Sequence, residues 1–281
     1  MAQELGIARI HTGIEWLDTM LSGGLPKGTW TVLTGEPGVG KSILTMFIAG
    51  ANAKSMPIIY VTTESSFRDI VRQARQFNID FGNAISLTDI IAGKSRANDA
   101  NMIVIDLFGL YREYKALASE ASGRKPSRAL SIEVLEKAVL KALEELGLVE
   151  KGRLSGEVLL IIDSMTAFWA DKPAMARVYS YSLRQALYRP NLTAVLTSQY
   201  APTTEASFGF GLEHVADGII HMWMDNVEEV KEIRRWLIVK KMRMTSHYAR
   251  AVRYDIQAGK GLVLLEPKPE DLKVPSQGLS P

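Results

Sequence analysis

Eight consecutive residues, Gly35-Glu36-Pro37-Gly38-Val39-Gly40-Lys41-Ser42, carry the clearest chemistry in the chain. They fit G-x-x-x-x-G-K-[ST] in full, with an apolar run before them and a helical stretch after them. Glycines let successive backbone N–H groups curl around phosphate oxygens, and the start of a helix adds its partial positive charge. Lys41 then reaches the β- and γ-phosphates and the Ser42 hydroxyl ligates Mg²⁺, so ATP and Mg²⁺ are the expected cofactors. The bland alternative, a chance Gly-rich turn, is disfavoured by the order strand, loop, helix.

Other polar groups stand at the ends of apolar runs. Val158–Asp163 is an apolar strand closing on a carboxylate that could hold a Mg²⁺ water shell. Met102–Asp106 has the same form, which makes Asp106 a competitor for that role. Ile58–Thr62 runs into Glu64, and Thr193–Thr197 into Ser198 and Gln199. The Gln199 amide could sense a γ-phosphate, or could simply bond to backbone at a strand end. A solvated loop acid is the alternative for Glu64. His11, His214, His221 and His247 show no metal-ligand spacing.

The elements that must position these groups alternate. Strands are predicted at Thr29–Thr34, Ile58–Thr62, Met102–Asp106, Val158–Asp163, Thr193–Thr197, Gly218–Met224, Arg235–Lys241 and Val252–Ile256. Helices are predicted at Lys41–Ala53, Ser66–Phe77, Ser131–Leu146 and Pro173–Leu187. The pattern implies an α/β fold, a mostly parallel twisted sheet with helices on both faces. The last strands have no helices between them, so an antiparallel extension is expected at the C-terminal sheet edge. Trp223 and Trp236 are expected in the core. Residues 1–265 read as one domain. Within it, 112–157 form a charged helical insertion with a loop at Ser119–Arg128. Apolar positions 132, 135, 139, 143 and 146 make a stripe that covers the sheet or docks a partner. Prolines 267, 269, 275 and 281 suggest a disordered tail from Glu266 to Pro281.

Of 281 residues, 47% are hydrophobic and 23% charged, the proportions of a globular chain with a sizeable core. The absence of cysteine excludes disulfides, thiolate metal sites and cysteine nucleophiles. Met1-Ala2-Gln3-Glu4 has no secretory pattern and no apolar run is of membrane-spanning length, so a cytoplasmic protein without a membrane partner is expected. A net charge of +2 says little about partners.

Further motifs resemble the KaiC-like branch of the RecA/RadA ATPases, and most closely the single-domain archaeal RadA paralogues of RadC type. Thr12-Gly13 with Leu17-Asp18, then Gly23-Gly24-Leu25-Pro26-Lys27-Gly28, match the family's approach to the phosphate loop. Tyr60–Ser65, Leu196–Tyr200, Phe208–Gly218 and Lys241–His247 continue the likeness, and Asp171–Arg177 resembles the archaeal paralogues in particular. It spans about residues 9–265. The resemblance implies a RecA-like core with ATP at a subunit interface in a homo-oligomeric ring or filament. It implies that Asp163 rather than Asp106 serves the metal, that Glu64 activates the attacking water, and that Lys241 and Arg243 reach a neighbour's γ-phosphate. The plain alternative for Lys231–Arg253 is a solvated basic edge. Two positions depart from the family: Ser65 leaves Glu64 as the single carboxylate of an acidic pair, and Met244 stands where the family has glycine.

The resemblance also points to single-stranded DNA, with a recombinase as a possible partner. Ser164–Arg177, with Phe168, Trp169, Lys172 and Arg177, and Tyr200–His214, with Tyr200, Phe208 and Phe210, mix aromatics with few cations. These loops could equally cover the nucleotide or pack on a neighbour. A role in recombination and repair leads, and a KaiC-like nucleotide-gated module with a protein partner is the alternative. A small-molecule kinase would need an Arg-rich lid, and a GTPase an N-K-x-D segment. The sequence has neither.

Overall fold

The computed structural model describes residues 6–110, 131–150, 153–169, 173–199, 211–225, 232–272 and 274. The chain enters through β1 (Arg9–Ile10), α1 (Glu15–Met20) and β2 (Leu25–Pro26), with β1 and β2 paired antiparallel. Then come β3 (Trp30–Gly35), α2 (Lys41–Asn52), β4 (Ile58–Thr62), α3 (Phe67–Gln76), β5 (Ala84–Ser86), α4 (Leu87–Ile91) and β6 (Met102–Asp106). After them lie α5 (Ile132–Glu145), the small pair β7 (Val149–Glu150) and β8 (Arg153–Leu154), β9 (Val158–Asp163), α6 (Ala176–Leu187) and β10 (Leu192–Gln199). α7 (Leu212–Val215), β11 (Gly218–Met224), β12 (Arg235–Met242), β13 (Val252–Gln257) and β14 (Gly261–Glu266) complete the order.

The large sheet runs β14-β13-β12-β11-β3-β10-β9-β4-β6-β5. Pairings from β11 to β5 are parallel, and β11 to β14 pair antiparallel, as the missing helices predicted. The central strands are buried along their length because both faces are covered. Ile58 and Tyr60 of β4 pack toward Leu44 and Ile48 of α2 and Ile70 of α3. Ile59 and Val61 face the cluster containing Leu135 and Val139 of α5 and Leu183 of α6. The period of two on a strand thus feeds two separate cores. The stripe on α5 buries Ile132, Leu135, Val139 and Leu143 in one of them, so it covers the sheet rather than waiting for a partner. Among the described residues no helix is long and apolar enough to cross a membrane.

Two expectations are corrected. Glu266–Leu272 is not a loose tail: Glu266 ends β14, Pro269–Asp271 form a 3₁₀ turn and Leu272 is buried in the core, because one apolar side chain suffices to pin the segment. Residue 273 and the tail from 275 lie outside the described residues, as does all of 111–130, Ser119–Arg128 included. Trp223 and Trp236 are only partly buried: they stack 6.4 Å apart, next to His221, on the antiparallel half. The short elements β1, α1, β2, β5, α4, β7, β8 and α7, and the strand β14, had not been predicted; most are too brief for a periodic pattern to emerge.

At the end of the β3–β11 pairing Gly35 lies opposite Met222. Gly35 has φ 153°, and a Cβ there would lie 2.0 Å from the Met222 carbonyl oxygen. Gly35→Ala should therefore destabilise the fold by about 2–3 kcal/mol. A urea midpoint equal to that of the unaltered chain would show that the two strands can part without cost.

Candidate nucleotide-binding site

The parallel strands all deliver their carboxyl ends to one edge of the sheet, where ligands of open α/β sheets bind. Gly35 ends β3, Glu64 follows β4, Asp163 ends β9 and Gln199 ends β10. A single cleft is lined by Pro37, Gly38, Gly40, Lys41, Ser42, Glu64, Asp163 and Gln199, with Thr197, Gln73 and Ile256 at its walls. The loop and the strand-end polar groups predicted from sequence are therefore brought together.

Gly40 (φ 97°) precedes the first residue of α2 in the left-handed region, and Gly38 (φ 85°) faces open space: a Cβ on it would meet nothing within 4 Å. A triphosphate fits this cradle, since no Cβ intrudes at Gly38 and the Gly38 and Val39 carbonyls are engaged by Arg235 and Tyr254. Lys41 Nζ donates to the carbonyls of Gly35 at 2.9 Å and Glu36 at 2.8 Å. The residue is 8% exposed. Burial lowers its pKa to about 8, while Asp163, Glu64 and Glu36 pull it back up. Ser42 and Asp163 share the cleft wall, a hydroxyl and a carboxylate that suit Mg²⁺ completed by phosphate oxygens and water.

Asp163 is held rigidly. Thr197 Oγ1 donates to its Oδ1 at 2.6 Å and Tyr60 OH to its Oδ2 at 3.4 Å. Tyr60 is fully buried, and burial pushes its phenol well above the usual range, so it stays a donor. It also shares a 2.9 Å hydrogen bond with Thr45 of α2, tying Asp163 to the helix behind the loop. The loops after β4 and β9 are stitched together: Thr63 N–H donates to Asp163 O at 2.9 Å, and Thr63 Oγ1 bonds both the carbonyl and the N–H of Ser164. Ser164 Oγ donates to Glu64 Oε1 at 2.7 Å, and Gln199 Nε2 to the same oxygen at 3.3 Å. Gln199 therefore bonds a carboxylate with its amide side chain, while its own N–H donates to Thr166 Oγ1.

Asp106, the competitor, sits on β6, with β4 between it and β9. It accepts from the N–H of Phe67 at the start of α3 and of Gly109, the work of a capping acid. Lys241 and Arg243 are not brought to this cleft. In the sheet register Met242 pairs with Gly218 and Gly218 with Thr31, at the amino end of β3. Thr31 lies four strand steps before Gly35, so these cations lie roughly 13 Å away along the strand, at the opposite edge. There Lys241 Nζ donates to Ala216 O at 2.6 Å. Arg243 donates to Asp217 Oδ1 at 3.2 Å and is 61% exposed. Asp217 also accepts from Arg184 and from Trp30 N–H. Met244 has φ 66°, so this chain keeps the left-handed backbone expected of glycine at a residue that bears the Cβ penalty.

Sequence reasoning missed Tyr60, Ser164, Gln73, Arg235, Tyr254 and Ile256. Tyr60 alone carried a signal, a phenol inside an apolar strand that would need a polar partner. Lys172, Lys231 and 200–210 lie outside the described residues. Among the described residues no cluster of three His, Asp or Glu could hold a metal by itself.

The model of the KaiC-type ATPase family matches residues 10–269. The chain belongs to that family. Its curated relatives include UPF0273 proteins of Methanopyrus kandleri (30% identical, 90% of each chain covered), Thermotoga maritima (30%, 92% of this chain and 96% of the relative) and Methanocaldococcus jannaschii (30%, 92% and 97%). A solved KaiC-like protein of Pyrococcus horikoshii superposes with a TM-score of 0.65 at 22% identity, over 92% of this chain and 99% of that one, and shows the shared fold.

The depressed pKa of Lys41 has a consequence in solution. Phosphate favours the charged lysine, so binding above pH 8 must take up a proton. ATP affinity should fall as pH rises from about 8, by up to about tenfold per unit. The empty fold should gain stability over the same rise, because the unfolded chain holds that proton more tightly. Calorimetry between pH 7.5 and 9.5 checks the first, and a flat profile would mean that Lys41 stays charged throughout.

Proposed function

We propose that this KaiC-family chain binds Mg-ATP on the 35–42 loop and hydrolyses it to ADP and phosphate. The observation that carries the reading is the convergence of Lys41, Ser42, Asp163 and Glu64 on one cleft at the carboxyl edge of the sheet. Glu64 takes a proton from water as the water oxygen attacks the γ-phosphorus and the bond to ADP breaks. Ser164 and Gln199 orient the Glu64 carboxylate through Oε1. Mg²⁺, when bound by Ser42 and Asp163, neutralises charge on the phosphate oxygens. Lys41 leaves its two carbonyl partners to meet the same oxygens.

The site is read as incomplete in one copy. Lys241 and Arg243, on the opposite edge, would complete that of a neighbour in a head-to-tail ring or filament. Glu64→Gln should bind ATP with affinity near that of the parent and lose at least about a hundredfold in turnover. Lys41→Ala should lose nucleotide binding. Mixing Arg243→Ala with Glu64→Gln should restore part of the activity through hybrid interfaces. No recovery in confirmed hybrids would count against the shared site.

Gln199 touches Glu64 in the cleft and leads directly into residue 200, so nucleotide state can be passed to the 200–214 segment. Placing the chain with the RadC-type RadA paralogues makes single-stranded DNA the ligand there, in recombination and repair beside a recombinase. The alternative output is a protein partner in the manner of a gated module. ATP-dependent binding of single-stranded over double-stranded DNA, weakening steeply with salt, is the expected result of a titration at two ionic strengths. Equal, ATP-independent binding would favour the partner reading.

A further inference from the structure

The phosphate loop works only if its N–H groups point into the cleft. In a planar trans peptide the carbonyl and the following N–H point in opposite directions. Whatever holds the carbonyls outward therefore aims the donors inward. Two side chains of the antiparallel extension do this. Tyr254 OH donates to the Val39 carbonyl at 2.5 Å, and that peptide carries the N–H of Gly40. Arg235 Nε lies 3.4 Å from the Gly38 carbonyl, and that peptide carries the N–H of Val39. Arg235 and Tyr254 are directly opposed partners on β12 and β13, so both present to the same face. Asp255 holds the Arg235 guanidinium at 3.1 Å. Tyr254 is 1% exposed and packs on Trp16, with ring centroids 6.3 Å apart. Two residues along β13, Ile256 Cδ1 stands 2.9 Å from where a Cβ on Gly40 would be.

We propose that Arg235 and Tyr254 form a clamp that turns the Gly38–Val39 and Val39–Gly40 peptides so that their N–H groups meet nucleotide phosphate. They are positioning residues, acting through the loop backbone. The proposal rests on the reading of the cleft as an ATP site. Burial pushes the Tyr254 phenol above its usual range, which keeps it a donor at every working pH.

Tyr254→Phe keeps the ring and removes the donor. Arg235→Gln removes the charge, and Arg235→Lys keeps a cationic donor. ATP and ADP dissociation constants, nucleotide-free Tm and the amide ¹H–¹⁵N resonances of Val39 and Gly40 are to be measured for each. Tyr254→Phe and Arg235→Gln should each weaken both nucleotides about tenfold, the loss of one hydrogen bond's worth of orientation. Tm should move by a few degrees at most, the nucleotide-induced shift of the Gly40 or Val39 amide should shrink, and Arg235→Lys should recover part of the affinity. Dissociation constants within twofold of the parent would overturn the clamp. So would an affinity loss that only tracks a large fall in Tm, with the amide shifts intact. If the unaltered chain itself binds no ATP, the nucleotide reading fails and the clamp fails with it.

Discussion

An ammonium group kept out of water sets the terms for this structure. Lys41 is nearly buried, and a buried charge is tolerable only where dipoles and opposite charges replace its hydration. The Gly35 and Glu36 carbonyls do so from one side, and Asp163, Glu64 and Glu36 lend their charges. Each helper is itself restrained: Asp163 by Thr197 and Tyr60, Glu64 by Ser164 and Gln199. The cleft is in this sense pre-strung. A phosphate entering it offers Lys41 a stronger partner than two neutral carbonyls.

The sheet gives the molecule a polarity. Parallel strands place the acids, Gln199 and the phosphate loop at their carboxyl ends. The antiparallel return of β12 carries Lys241 and Arg243 to the other edge, where Asp217 and Ala216 hold them. Glu64 and Asp163 thus lie at one edge and Lys241 and Arg243 at the other, which is why the proposed shared site calls on a neighbouring copy. The same return also brings Arg235, at the far end of β12, back to the chain's own loop, so one strand serves both edges.

Much of this was legible without coordinates. The 35–42 loop is a local object: its glycines, lysine and hydroxyl act through spacing along a few residues, and strand-loop-helix order follows from apolar periodicity. Glu64, Asp163 and Gln199 were legible because each ends an apolar run. Asp106 ends one too; apolar periodicity does not separate the two acids, the family resemblance favours Asp163, and strand order, with β4 set between β6 and β9, keeps Asp106 out of the cleft. Leu272 shows the converse failure, since a proline-rich composition says nothing of one leucine that finds a core.

By itself the sequence determined the phosphate loop, the α/β class, the antiparallel end and the polar groups at the strand ends, because these depend on contacts between near neighbours and on periods of two and 3.6. Tertiary structure decided that Asp106 stays outside the cleft, that Tyr60 ties α2 to Asp163, and that Arg235 and Tyr254 bear on the loop across separations of 197 and 215 residues. Such pairings arise from sheet register and crossover, and a register is settled by the packing of whole faces rather than by any local pattern.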